Sequence, residues 1–260
     1  MRNVAMLTTV ANFDLYRKTN PMFDCKYDRY VIDGKDGMHG IHSLLYMMKK
    51  FKNLNYDYII MADEDFILKS NKAVVDLITE MEKKKITIAG VRDGGVISHR
   101  NFNPFCINTF FSIINLKRVK EIWNKKEVLQ NQKIGINEFT LDVVLPFECD
   151  ERSLYEPYYC FYLWLLRKGE KIKYLTSRSL DTNNDHITNV VLDDSSNIIG
   201  FHSWYARSYG IHKLHTDRIN VLLDGFKKKE TVQFVLWHNA TFKYIQYWIK
   251  ILKKMKIKIK

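Results

Sequence analysis

Cysteine and proline are scarce, with four of each in 260 residues, and no apolar stretch is long. Cys25, Cys106, Cys149 and Cys160 are irregularly spaced and form no CxxC pair. That argues against a zinc site and against a disulfide framework, and leaves buried, reduced thiols as the expectation. The longest apolar run, 158–166, falls well short of the roughly 20 residues a membrane-spanning helix needs. After MRNVAMLTTV the chain turns polar at Asn12 and Asp14, where a signal peptide would carry its apolar region. The expected location is therefore the cytoplasm, soluble or peripheral. No internal repeat and no clear linker interrupts the chain.

The composition is that of a globular protein: 46% hydrophobic, 13% aromatic and 27% charged residues. Disorder is excluded for most of the chain. The net charge of +12 implies an anionic partner, whether nucleic acid, an acidic membrane surface or a phosphorylated small molecule.

Short apolar runs over 3–10, 27–32, 56–62, 86–91 and 110–114 read as strands. Apolar residues at helical spacing over 41–52, after Asn71 as N-cap, and over 116–123, 155–168 and 213–225 read as helices, with a strand at 171–175. The Gly-bearing stretch 34–40 reads as a loop, Arg92-Asp93-Gly94-Gly95 as a turn, and 176–200 as loop-rich around Asn183-Asn184-Asp185 and Asp193 to Ser196. Alternating strands and helices predict an α/β fold with a mainly parallel sheet flanked by helices. Residues 1–225 are expected to form the main domain and 226–260 a basic amphipathic extension.

The sharpest chemical signal is Asp63-Glu64-Asp65 directly behind the strand 56–62. In an open parallel sheet, ligands bind at that end of the strands. Carboxylates clustered there repel unless a cation joins them, and Mg²⁺ or Mn²⁺ suits such oxygen ligands and would bridge to a diphosphate. The plain alternative is a solvated turn before a helix cap.

The triplet resembles the DxD motif of GT-A fold, family-2-like glycosyltransferases. Strand ends at Thr8-Thr9-Val10 and at Asp33 resemble the pair that holds the base and ribose of a nucleotide sugar. Residues 155–175 resemble the segment that follows the catalytic acid of inverting members, and 201–207 (FHSWYAR) resembles the late loop whose His completes the metal site. The order of these motifs over residues 1–215 carries the resemblance. It implies a GT-A fold and a Mn²⁺- or Mg²⁺-dependent, inverting glycosyltransferase. Its partners would be a nucleotide-diphosphate sugar donor and a glycan or glycolipid acceptor, as in assembly of a bacterial lipopolysaccharide or capsule-type glycan. Thr8, Thr9, Val10, Asp33, Arg92, Asp93, Asp63 and Arg207 would then hold the donor. Asp63, Asp65 and His202 would hold the metal.

The usual Glu-Asp pair before the late helix is not intact. Glu148, Asp150, Glu151 and Glu156 stand there instead, with Glu156 as the leading candidate base and Asp150 and Glu151 as competitors. Asp33 equally suits an ordinary Asp-Gly turn, and Asp36 reads as a partner of Lys35. His212, His215 and Arg218 read as a solvated helix face.

Residues 242–260 carry seven lysines and no acid, with Tyr244, Ile245, Trp248, Ile249, Leu252 and Met255 on one helical face. This suits the inner, anionic face of a cell membrane. No nucleic-acid module accompanies the basic stretch, so nucleic acid is not expected as a partner. Two other function classes remain. A nucleotidyltransferase would need a Gly-rich basic loop after the first strand, where Val10 to Asp14 reads VANFD. A non-catalytic membrane-attached module would need no metal.

Overall fold

A computed structural model describes residues 2–93, 103–141, 143–145, 147–182, 185–226 and 232–258, side chains from 254 onward excepted. Gly94, Gly95, Asn183, Asn184 and the side chains of Met255 and the last four lysines lie outside the described residues.

In chain order the elements are β1 (Val4–Val10), α1 (Phe13–Thr19), β2 (Asp28–Asp33), α2 (Ile41–Phe51), β3 (Tyr58–Ala62), β4 (Phe66–Leu68), α3 (Asn71–Lys84), β5 (Ile88–Arg92) and β6 (Ile107–Asn115). There follow α4 (Leu116–Ile122), α5 (Lys125–Gln130), α6 (Tyr159–Arg167), β7 (Ile172–Ser179), β8 (Asn189–Leu192), β9 (Ile198–His202), α7 (Lys213–Asp224), β10 (Val235–Trp237) and α8 (Ala240–Lys258).

Among the described residues ten strands form one sheet in the order β10-β2-β1-β3-β6-β5-β7-β8-β9-β4. Successive side chains of a strand face opposite sides, and at β3 both sides are covered. In β3, Ile59 and Met61 join the core layer beneath α2 and α6, while Ile60 and Ala62 join the layer beneath α3. All five β3 residues are buried, which is why its sequence is an unbroken apolar run.

The expectation of an α/β sheet flanked by helices holds, but the sheet is mixed. Four neighbouring pairs are parallel and five antiparallel among the described residues. Two departures explain it. No helix stands between β5 and β6 among the described residues, and β6 runs antiparallel to both β3 and β5. The stretch read as loop-rich, 176–200, is mostly sheet: β7 continues to Ser179, and β8 and β9 return in a meander. Its turn is tied by Asp193, whose carboxylate accepts from the Ser195 and Asn197 amides at 2.9 and 2.8 Å. β7 is largely solvated on its outer side, so it lacks the apolar run that marks β3.

Two boundaries also move. The α3 N-cap is Ser70, which accepts from the Ala73 amide at 3.1 Å. Asn71 instead bridges the Met22 carbonyl and the Asp24 amide. α6 starts at Tyr159 rather than 155, because a residue before proline disfavours the helical region and Pro157 follows Glu156. The segment beyond 225 adds β10 to the sheet, parallel to β2, before α8 begins. All four cysteines are free; Cys106 and Cys160 are buried as expected, whereas Cys25 is exposed and Cys149 half-buried.

Candidate metal centre and donor cleft

The parallel strands β1, β2 and β3 end on one edge of the sheet, at Val10, Asp33 and Ala62. β9 ends on the same edge at His202, paired with Phe66 of β4. A cleft of about 500 Å³ opens there, and its lining includes Thr9, Asp63, Asp65, Glu156, His202 and Arg207. A larger groove of about 1470 Å³ lies at the opposite edge, where Arg2 pairs with Glu82 and Arg118 with Glu170.

Asp63 is fixed from its backbone, whose amide donates to Phe110 at 2.9 Å and whose carbonyl accepts from Phe66 at 3.1 Å. Asp65 is buried, and its carbonyl accepts from the Ser203 amide at 3.1 Å, which ties β3's exit to β9's. That tie brings His202 Nε2 to 3.2 Å from Asp65 Oδ1. The imidazole is sandwiched by Phe110, stacked at 4.1 Å, and Trp204 at 4.2 Å. Gly200 makes this approach possible: a Cβ there would lie 2.6 Å from the Phe66 ring and 2.8 Å from the Ile67 carbonyl.

One ligand atom from each of Asp63, Asp65 and His202 lies within 4.8 Å of the others. Two carboxylates and an imidazole are a donor set for a hard divalent cation such as Mn²⁺ or Mg²⁺, and three protein ligands leave coordination positions for a substrate. His202 Nδ1 is buried without a hydrogen-bond partner among the described residues, so no donor to Nδ1 forces the ring proton onto Nε2, the nitrogen that faces Asp65. Burial, then the charges of Asp65 and Glu64, push the Asp63 carboxyl well above the usual carboxylate range, against the pull of Arg207. The residues present therefore fit a cation.

Glu64, between the two aspartates, does different work. It is buried and turned away toward β1, where Oε1 accepts from the Ala11 and Asn12 amides at 3.0 and 3.1 Å. Burial and the Asp65 charge raise it to about 7, while those two amides oppose the rise. The sequence offered no sign of this division of labour.

The other expected site residues divide. Thr9 lines the cleft, whereas Thr8 is buried and Val10 packs with Tyr16 and Val31. Gly34 sits close against the strand ends, where a Cβ would lie 3.0 Å from Thr9 Cγ2 and 3.1 Å from the Val10 carbonyl. Asp33 Oδ2 lies 3.1 Å from His238 Nδ1 and 4.0 Å from Lys243 Nζ. Asp36 pairs with Lys243 and Lys250 of α8 at 3.6 and 3.8 Å, and not with Lys35. Arg92 is turned away from the cleft lining, with its guanidinium 3.5 Å from the Tyr174 ring centroid and donating to the Pro104 carbonyl. Asp93 is fully buried behind the cleft, accepting from Asn108 at 2.7 Å, Tyr158 at 2.9 Å and Tyr159 at 2.5 Å.

Among the acids before α6, Glu156 is half-buried and lines the cleft. Glu148, Asp150 and Glu151 are exposed and outside the lining. Arg218, read as part of a solvated face, is buried instead. It donates to Ser203 O at 2.5 Å, Trp204 O at 3.3 Å and Thr188 Oγ1 at 2.7 Å, beside Asp185 at 3.3 Å. It thereby fastens the loop after His202, where Trp204 and Tyr205 hold φ of 58° and 62°. Cleft residues the sequence did not single out are His39, Asn108 and Tyr158; His39, in the glycine-bearing loop, carried the one available signal.

No protein-family model and no curated protein matches the chain. A solved structure of a glycosyltransferase involved in the glycosylation of the major capsid of PBCV-1 is similar at 16% identity and a TM-score of 0.32, over 48% of this chain and 68% of that one. The functional reading rests on the cleft itself.

Proposed function

We propose that the chain is a metal-dependent glycosyltransferase that moves a sugar from a nucleotide diphosphate to a hydroxyl of a glycan or glycolipid. One observation carries the reading: Asp63, Asp65 and His202, from distant parts of the chain, converge at the strand edge where a nucleotide would lie. Bound there, Mn²⁺ or Mg²⁺ would supply positive charge opposite a departing diphosphate.

The chain's own groups take the remaining tasks. Arg207, exposed at the cleft, offers a planar fork to phosphate oxygens. The nucleoside would extend into the neighbouring hollow of about 660 Å³, lined by Phe13, Lys35 and Tyr209, which shares Arg207 and His39 with the cleft. Glu156, across the cleft, would take the acceptor proton as the anomeric carbon is attacked, giving inversion. The rival nucleotidyltransferase needs free amides after β1 to cradle phosphates, and the Ala11 and Asn12 amides are engaged by Glu64.

Thermal unfolding with nucleoside diphosphates, with and without Mn²⁺, tests the reading. A shift that needs both nucleotide and cation, and disappears in Asp65→Ala, is expected. Equal stabilisation without cation would remove the metal and the reading with it. No stabilisation by any nucleotide would favour a non-catalytic module.

A further inference from the structure

α8 is amphipathic, and the domain does not cover its apolar side. Lys243 and Lys250, seven residues apart and so on one side, reach Asp36 at 3.6 and 3.8 Å while staying half or more exposed. Phe242 faces inward, 5.1 Å from His42. The apolar side faces water: Tyr244 is 61% exposed, Trp248 46% and Leu252 55%, at i, i+4 and i+8, with Ile245 and Ile249 alongside. An apolar patch left uncovered in this way marks an interaction surface.

Charge decides the occupant. The segment 242–260 holds seven lysines and no acid. A second copy seated on the same face would set two such runs side by side. An anionic lipid surface offers opposite charge to the lysines and a boundary in which Tyr244, Tyr247 and Trp248 can sit. No helix among the described residues is long and apolar enough to cross a membrane, so the contact is one of lying on the surface. α8 also begins beside β10, whose parallel pairing with β2 puts it on the sheet edge where the cleft opens.

We propose that α8 docks on an anionic phospholipid bilayer through Tyr244, Ile245, Trp248, Ile249 and Leu252, drawn there by the positive charge of the segment, which sets the mouth of the cleft at the lipid surface. The docking does not depend on the catalytic reading. Co-sedimentation of the full chain with vesicles tests it, using phosphatidylcholine alone and phosphatidylcholine mixed with phosphatidylglycerol. Binding at least about 10-fold stronger to the anionic vesicles is expected, with release at high salt. Trp248→Ser with Leu252→Ser should reduce binding about 10-fold or more while the thermal transition stays in place, because both side chains are solvated in the free protein. Equal binding to both vesicles, no binding, or full binding by the double variant would overturn the proposal. So would a dimer in light scattering that the double variant dissociates, since a second copy would then cover the face.

Discussion

Residues 63–65 and 148–156 are the two acid-rich stretches near the cleft, and they are held in opposite ways. The first leaves a fully buried strand, and its backbone is tied at the Asp63 amide to β6, at the Asp63 carbonyl to β4, at the Glu64 carbonyl to Thr19 of α1 and at the Asp65 carbonyl to the residue after β9. Its carboxylates are placed before any ligand arrives. The second runs through irregular chain whose acids are exposed, save Glu156 beside Pro157. Preorganised charge suits cation binding, where ligands must already converge; a looser segment suits a group that meets an acceptor of variable shape. The contrast predicts large losses in the first segment and its supports, and a loss confined to one residue in the second.

The largest effect is expected from Asp65→Ala. It removes one candidate ligand and the carboxylate that faces His202, so turnover and cation-dependent nucleotide binding should fall below detection while circular dichroism remains native. Activity indifferent to both this change and EDTA would end the claim that the first segment holds a metal.

Arg218→Met comes next. It leaves Asp185 buried beside Thr188 without its cation and frees the Ser203 and Trp204 carbonyls, at a cost of about 3–5 kcal/mol. Urea unfolding should show that loss. Cation affinity should weaken in the folded fraction as well, with Arg218→Lys partly restoring it; an unchanged affinity would mean that the loop after His202 holds its place alone.

Within the second segment, Glu156→Gln should lower kcat about 10²-fold with nucleotide binding retained, while Asp150→Asn and Glu151→Gln stay within about twofold. A large loss at Asp150 or Glu151 instead would show that the loop rearranges when substrate binds.

What the sequence disclosed follows the same division. Strands and helices with continuous local patterns, β1, β3, α2 and α3, were legible because burial on both sheet faces or on one helix face leaves a periodic trace. So was the acidic triplet with His202, as residue types in order. Features that depend on distant partners left no local trace. Arg218 looked solvated because Asp185 and Ser203 lie far from it in the chain. Asp36 looked like a partner of Lys35 because Lys243 and Lys250 reach it only after the chain has crossed the whole sheet. β8 and β9 were hidden by the polar turns that join them.

The smallest expected effect lies inside the triplet itself. Asp63, Glu64 and Asp65 are chemically alike and adjacent, yet Glu64 alone accepts two backbone amides, from Ala11 and Asn12. Glu64→Gln keeps an acceptor oxygen at that place and removes an ionisable carboxyl that stands beside Asp65. It should therefore leave turnover within a few-fold and stability nearly unchanged. Glu64→Ala leaves both part-buried amides without their acceptor and should cost about 1–3 kcal/mol, read in urea unfolding, with the loss falling on stability rather than on cation affinity. If Glu64→Gln instead abolished cation-dependent nucleotide binding, Glu64 would be a ligand and the cleft would have to rearrange on loading. If Glu64→Ala cost nothing, the turn after β1 would be held by something other than this carboxylate, and the two aspartates would owe it none of their placement.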